Sequence, residues 1–205
     1  MNKTVMVLTF LISITGLSNP KRTTFIGNGG DPLDFALSQS LENIRETYQY
    51  LETYEEEELC TCNESWVPSL CDVLDSLTDK EQNFCAKFID EHSKELISLS
   101  REGSIKMIFH SGEMQVKEAD QMRSVDAVAN REKRKITISR DTYKELSNME
   151  REALIVHEHG HFLKWDGRYI DDVSPVGPFS DGRKFLNAFG AAIALAGYQS
   201  GASSR

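Results

Sequence analysis

Hydrophobic positions recur along this chain with two different periods. Leu37, Leu41, Ile44, Tyr48 and Leu51 are spaced by four and three, the period that lines one face of an α-helix. Thr78-Asp79-Lys80-Glu81 has the form of a capping box, in which a hydroxyl and a carboxylate three residues apart satisfy the first free N–H groups of a helix. It opens a second helix with Phe84, Phe88, Leu96 and Leu99 on its apolar side. His92 falls beside that stripe and reads as a packed histidine. The pattern then changes to short apolar runs. Residues 105–109 read as a strand ending in His110-Ser111-Gly112. Residues 125–129 and 136–139 flank the polar turn Asn130-Arg131-Glu132-Lys133-Arg134-Lys135, which predicts a hairpin.

The helical period then returns. Ser147-Asn148-Met149-Glu150 is another capping box, and Leu154, Ile155, Val156, Phe162 and Leu163 follow it. Lys164 and Gly167 are proper stop signals, so the spacing predicts a helix over 147–165. Ser174-Pro175-Val176-Gly177-Pro178 reads as a loop, and Ser180-Asp181 opens a last helix with Phe185, Leu186, Phe189 and Ile193. Its Ala/Gly-rich run at 190–197 suits close packing behind the preceding helix and is too short to span a bilayer. Upstream, residues 19–32 read as a flexible linker. Gly27-Asn28-Gly29-Gly30 within it follows no strand and so is no phosphate loop.

Candidate chemistry sits inside the 147–165 helix. His157-Glu158-His159-Gly160-His161 spells H-E-x-x-H. Positions i and i+4 lie one above the other on a helix, so His157 and His161 can aim at one ion. Glu158 then stands where a base is needed beside two neutral nitrogen ligands. The plain alternative is a buried helix with incidental histidines. His159, at i+2, faces away from the pair and reads as an outer-shell or surface residue. Gly160 costs roughly 1 kcal/mol against alanine in mid-helix, which suggests close approach of a strand or loop to the metal face. Catalytic zinc usually takes three protein ligands. Beyond His161 the chain offers no Glu, His or Cys, only Asp166, Asp171, Asp172 and Asp181. His92 and His110 would need an unusual order.

The run from His157 to Tyr169 resembles the zincin metallopeptidases, and among them small secreted bacterial enzymes of the snapalysin type, which read H-E-x-x-H-x-x-G-x-x-D. The resemblance implies zinc (Zn2+) held by His157, His161 and Asp166, with Glu158 as general base and a peptide or protein as substrate. It implies an α+β, zincin-like fold: a helical N-terminal part, a small β-sheet, an active-site helix and a C-terminal packing helix. It also implies an edge strand that pairs with substrate main chain, for which residues 136–139 are the candidate. This chain departs from the pattern. Asp166 comes one residue early, Lys164 replaces the turning glycine, and no methionine follows Met149. The chain must turn at Lys164-Trp165 to bring Asp166 to the ion, so Asp171, Asp172 and Asp181 stay open as third ligands. Tyr169 is a candidate oxyanion donor or simply a packed tyrosine.

The 205 residues suffice for one domain or a small one with an appendage. Lys3, the apolar stretch 5–14 and Gly16-Leu17-Ser18 read as a signal peptide over 1–18, which predicts export to the periplasm or the medium and no stable membrane association after cleavage. Residues 33–102 then form a helical, disulfide-stapled region and 103–205 the catalytic region. Cys60, Cys62, Cys71 and Cys85 predict two disulfides with three possible connectivities, a Cys60–Cys62 ring being too tight. The net charge of −9 argues against nucleic acid or an anionic membrane as partner. The glutamates at 55–58 read as a solvated face, and the basic run 133–135 as a hairpin cap. Two non-enzymatic readings stand beside the hydrolase: an exported binding or structural module with a vestigial or structural metal site, and a stapled helical protein with no metal.

Overall fold

In the computed structural model, which describes residues 24–25, 31–51, 59–62, 67–101, 103–118 and 121–201, the chain is a mixed α+β protein. The signal segment 1–18, the glycine-rich stretch 27–30 and the glutamates at 55–58 lie outside the described residues. The first predicted helix is α1 (Pro32–Leu51), which buries Leu37, Ile44, Tyr48 and Leu51 as its spacing requires. A short α2 (Pro68–Asp75) leads to α3 (Asp79–Ser100), whose Thr78–Glu81 capping box is formed. Both α2 and the later α4 (Arg140–Glu145) are too short to carry a legible period.

The main sheet has the order β1-β2-β6-β5. Strand β2 (Lys106–His110) runs parallel to β6 (Lys135–Ser139), and β5 (Ala127–Asn130) closes the predicted hairpin antiparallel to β6. Two expectations change here. Residues 136–139 lie inside the sheet with both edges used, so the outer strand beside the histidine helix is β5. The predicted linker contributes β1 (Thr24–Phe25), which pairs antiparallel with β2. Asp31, at its end, pairs with Arg140. A second hairpin, β3 (Gln115–Glu118) with β4 (Gln121–Ser124), leaves between β2 and β5 and packs Met114, Val116 and Val125 against Val128.

The histidine-bearing helix α5 (Asn148–Gly160) lies against α6 (Gly182–Gln199). The fit is close enough to require glycine. A Cβ at Gly190 would stand 2.6 Å from the Ala153 carbonyl oxygen, and one at Gly160 would run into Leu186. The element that crowds Gly160 is therefore helix α6, not a strand or loop. One hydrophobic core joins the two predicted regions, uniting Leu37, Phe88 and Leu96 with Leu154, Ile155, Phe185 and Phe189. Lys184 bonds Glu81 at 2.6 Å across the same junction. Cys62 and Cys71 form a disulfide, with Cα atoms 5.3 Å apart. Cys60 and Cys85 are buried outside that bridge. No helix among the described residues is long and apolar enough to cross a membrane.

Candidate metal centre

Ser147 caps α5 as its sequence predicts, accepting from the Glu150 N–H while the Glu150 carboxylate accepts from the Ser147 N–H. The helix ends earlier than expected. His161 is its C-cap, still helical at φ −64° and ψ −17°, so the i, i+4 relation to His157 survives. Bonds from Phe162 N–H to the His159 carbonyl and from Leu163 N–H to the Gly160 carbonyl then tighten the chain and turn it away. The residues that looked like helix stop signals belong to a hairpin of β7 (Lys164–Trp165) and β8 (Arg168–Tyr169). Asp166 and Gly167 form its tip at φ 52° and 75°, the left-handed backbone that an Asp-Gly turn accepts.

His157, Glu158 and His161 converge. Their ligand atoms lie within 4.8 Å of one another, and the residues are 1, 3 and 3 % exposed. The group can hold a metal ion. His161 Nδ1 meets Asp171 Oδ1 at 2.5 Å, which leaves Nε2 as the nitrogen that could face an ion. The Asn187 side chain and the Leu186 backbone of α6 lie beside His157. Ala129 of β5 donates its backbone N–H to Glu158, so the outer strand and the helix meet at the candidate base.

The structure separates the four downstream aspartates. Asp166 is exposed at the hairpin tip and is not brought to the histidines. Asp172 makes a two-pronged pair with Arg131, at 3.1 and 3.2 Å. Asp181 caps α6 by accepting from the Lys184 N–H at 2.9 Å. Only Asp171, in the 3-10 turn Ile170–Asp172, reaches the site, and it does so by touching a histidine rather than joining the ligand group. The third member of that group is Glu158 itself. Neither His92, stacked on Phe88 at 3.9 Å, nor His110 at the end of β2 belongs to it. Tyr169 serves as a platform for Arg131 and Lys164, at 4.5 and 5.1 Å from its ring. His159 is not a surface residue; it is 1 % exposed and bonded through Nδ1 to the Tyr48 hydroxyl at 2.9 Å. Asp171 was legible in sequence only as one carboxylate among several, and Asn187 carried no signal at all.

Burial dominates the electrostatics. It pushes Glu158 up to about 7, with Asp171 and Asp126 adding to the rise while His161 and the Ala129 N–H oppose it. It holds His157 well below the usual imidazole value, aided by the His161 charge, so His157 is neutral and able to ligate at pH 7. His161 goes the other way, because Asp171 outweighs the burial that would lower it. The Glu158 Oε2 atom is buried without a hydrogen-bond partner among the described residues. Such an acceptor is costly unless a cation or water meets it, and a cation held by two imidazoles beside it meets that need. Two imidazoles and a carboxylate suit zinc and other borderline divalent ions. Compared with protein-family models, curated proteins and solved structures, the chain finds no match in any of the three.

Proposed function

We propose that this chain is an exported zinc-dependent hydrolase of the zincin kind, acting on peptides or proteins. The observation that carries the reading is the convergence of His157, Glu158 and His161, with Asp171 fixing the His161 ring. His157 and His161 would hold the ion. When bound, zinc supplies a Lewis acid that polarises the scissile carbonyl and lowers the pKa of water. Glu158 takes the proton of the attacking water and returns it to the departing amine. Its burial, which disfavours the charged carboxylate, suits a group that must take up and hand on a proton. The side of β5 away from β6, which pairs with no strand among the described residues, offers substrate main-chain pairing near Glu158, where residues 136–139 cannot. Export rests on residues 1–18 and accords with the Cys62–Cys71 bridge, which is stable in oxidising compartments.

The test combines metal analysis with turnover. The purified chain is expected to carry about one zinc per molecule, as one catalytic site requires. Glu158→Gln is expected to keep that zinc and lose hydrolysis of a peptide library by ~10²–10⁴-fold. Full activity in Glu158→Gln would remove the base from its role. A second reading rests on the near-complete burial of all three side chains. It is a closed structural metal site in an exported module, and zinc uptake without any turnover would favour it.

A further inference from the structure

We infer that Tyr48, from the N-terminal helix, is a positioning residue for the metal histidines, acting through His159. This rests on the metal reading above. The observation is a buried contact between distant parts of the chain. The Tyr48 hydroxyl and His159 Nδ1 are 2.9 Å apart, and the two residues are 0 and 1 % exposed. His159 Nε2 is buried with no hydrogen-bond partner, so the hydroxyl is the one polar hold on that ring among the described residues. A buried imidazole nitrogen left unmet is costly, and an apolar residue would pack there without that cost. A histidine at this place therefore calls for a role, and its tether to α1 supplies one.

The geometry explains how the tether acts. His157, His159 and His161 share one helical segment, and two of its rings are bonded to different elements. The 3-10 turn holds His161 through Asp171, and α1 holds His159 through Tyr48. The first hold acts on a metal-facing ring itself. The second acts on the opposite side of the helix and opposes rotation about its axis. A rotation of about 10° moves an imidazole nitrogen by ~1 Å, beyond the ~0.5 Å that a metal site tolerates. Two other polar contacts join α1 to this region. Asn43 Nδ2 donates to Glu152 at 2.7 Å, and the Tyr143 hydroxyl donates to Ser40 at 3.1 Å. They fix where α1 lies, and Tyr48 is the contact that reaches the histidine run.

The experiment compares zinc affinity, by chelator competition, in the full wild-type chain and in Tyr48→Phe, Ser40→Ala and His159→Leu. Melting of the metal-free proteins is measured alongside. Tyr48→Phe keeps the ring and removes the hydroxyl. It is expected to weaken zinc by up to about 10-fold, the lower end of the loss for a direct partner of a ligand, since Tyr48 stands one residue further out. Ser40→Ala cuts the same interface away from His159. It is expected to lower melting while leaving zinc affinity within about twofold, a split that separates positioning from general support of the fold. His159→Leu removes the bond from its other side and is expected to match Tyr48→Phe, which also serves should Tyr48→Phe fail to fold. Unchanged zinc affinity in Tyr48→Phe or His159→Leu overturns the inference, as does an equal loss in Ser40→Ala. A wild-type chain that takes up no zinc overturns the metal reading along with it.

Discussion

Asp171 sits on Nδ1 of His161, and that single contact settles which nitrogen remains for an ion. A carboxylate behind a ligand histidine also makes the ring a better donor. Asp171→Asn keeps the shape and a hydrogen bond but drops the charge. It is expected to weaken zinc by ~10–100-fold with little change in secondary structure, read by chelator competition and circular dichroism. If Asp171 were itself the missing ligand, the loss would be far larger and would match His161→Ala. At the same scale, His157→Ala is expected to abolish zinc binding, because the His161 imidazole alone cannot hold the ion.

Elements are held in register by caps and by close helix contact. Thr78 and Ser147 each accept from a backbone N–H three residues on, and Glu81 and Glu150 reach back. Replacing either Thr78 or Ser147 by alanine is expected to cost about 1 kcal/mol in urea unfolding. Gly190→Ala tests the α5–α6 seam. Alanine improves helix propensity by roughly 1 kcal/mol, but its methyl would meet the Ala153 backbone, which cannot swing aside as a side chain can. Overpacking costs about 1–3 kcal/mol, so a net loss in urea stability is expected. Because α5 carries the histidines, that loss should come with weaker zinc binding.

The whole molecule is tied across its length by carboxylates. The Arg140 guanidinium, with the Leu33 N–H, holds Asp31 below the usual carboxylate range. Burial would raise Glu81, Glu150 and Asp181, but Lys184 and Thr78, Ser147 with Ser69, and the Lys184 N–H with Ser180 outweigh it, so all three are lowered. A carboxyl with a lower pKa folded than unfolded stabilises the fold above the unfolded value. That contribution is lost as pH falls through the folded value. Stability is therefore expected to fall from about pH 5 downward, and Glu81→Gln should flatten that fall, as followed by thermal melting across pH. Zinc at ~100 times its Kd should add about 2.7 kcal/mol at neutral pH and nothing in His157→Ala.

Local codes were legible in the chain because they act over a few residues. The capping boxes at Thr78 and Ser147, the β5–β6 hairpin, the last helix and the His157–Glu158–His161 spacing all follow from rules of period and end chemistry. The end of α5 was not legible. Lys164 and Gly167 are stop signals equally suited to a hairpin, and the turn at His161–Leu163 places them in one. That shift carries Asp166 out to solvent. What the sequence by itself determined is therefore the two histidines and the glutamate, because helix geometry alone puts them together. The tertiary structure decided which strand is the outer one, which aspartate stands behind His161, and that α1 reaches the site through Tyr48. Those choices depend on contacts between residues far apart in the chain, and no local period encodes them.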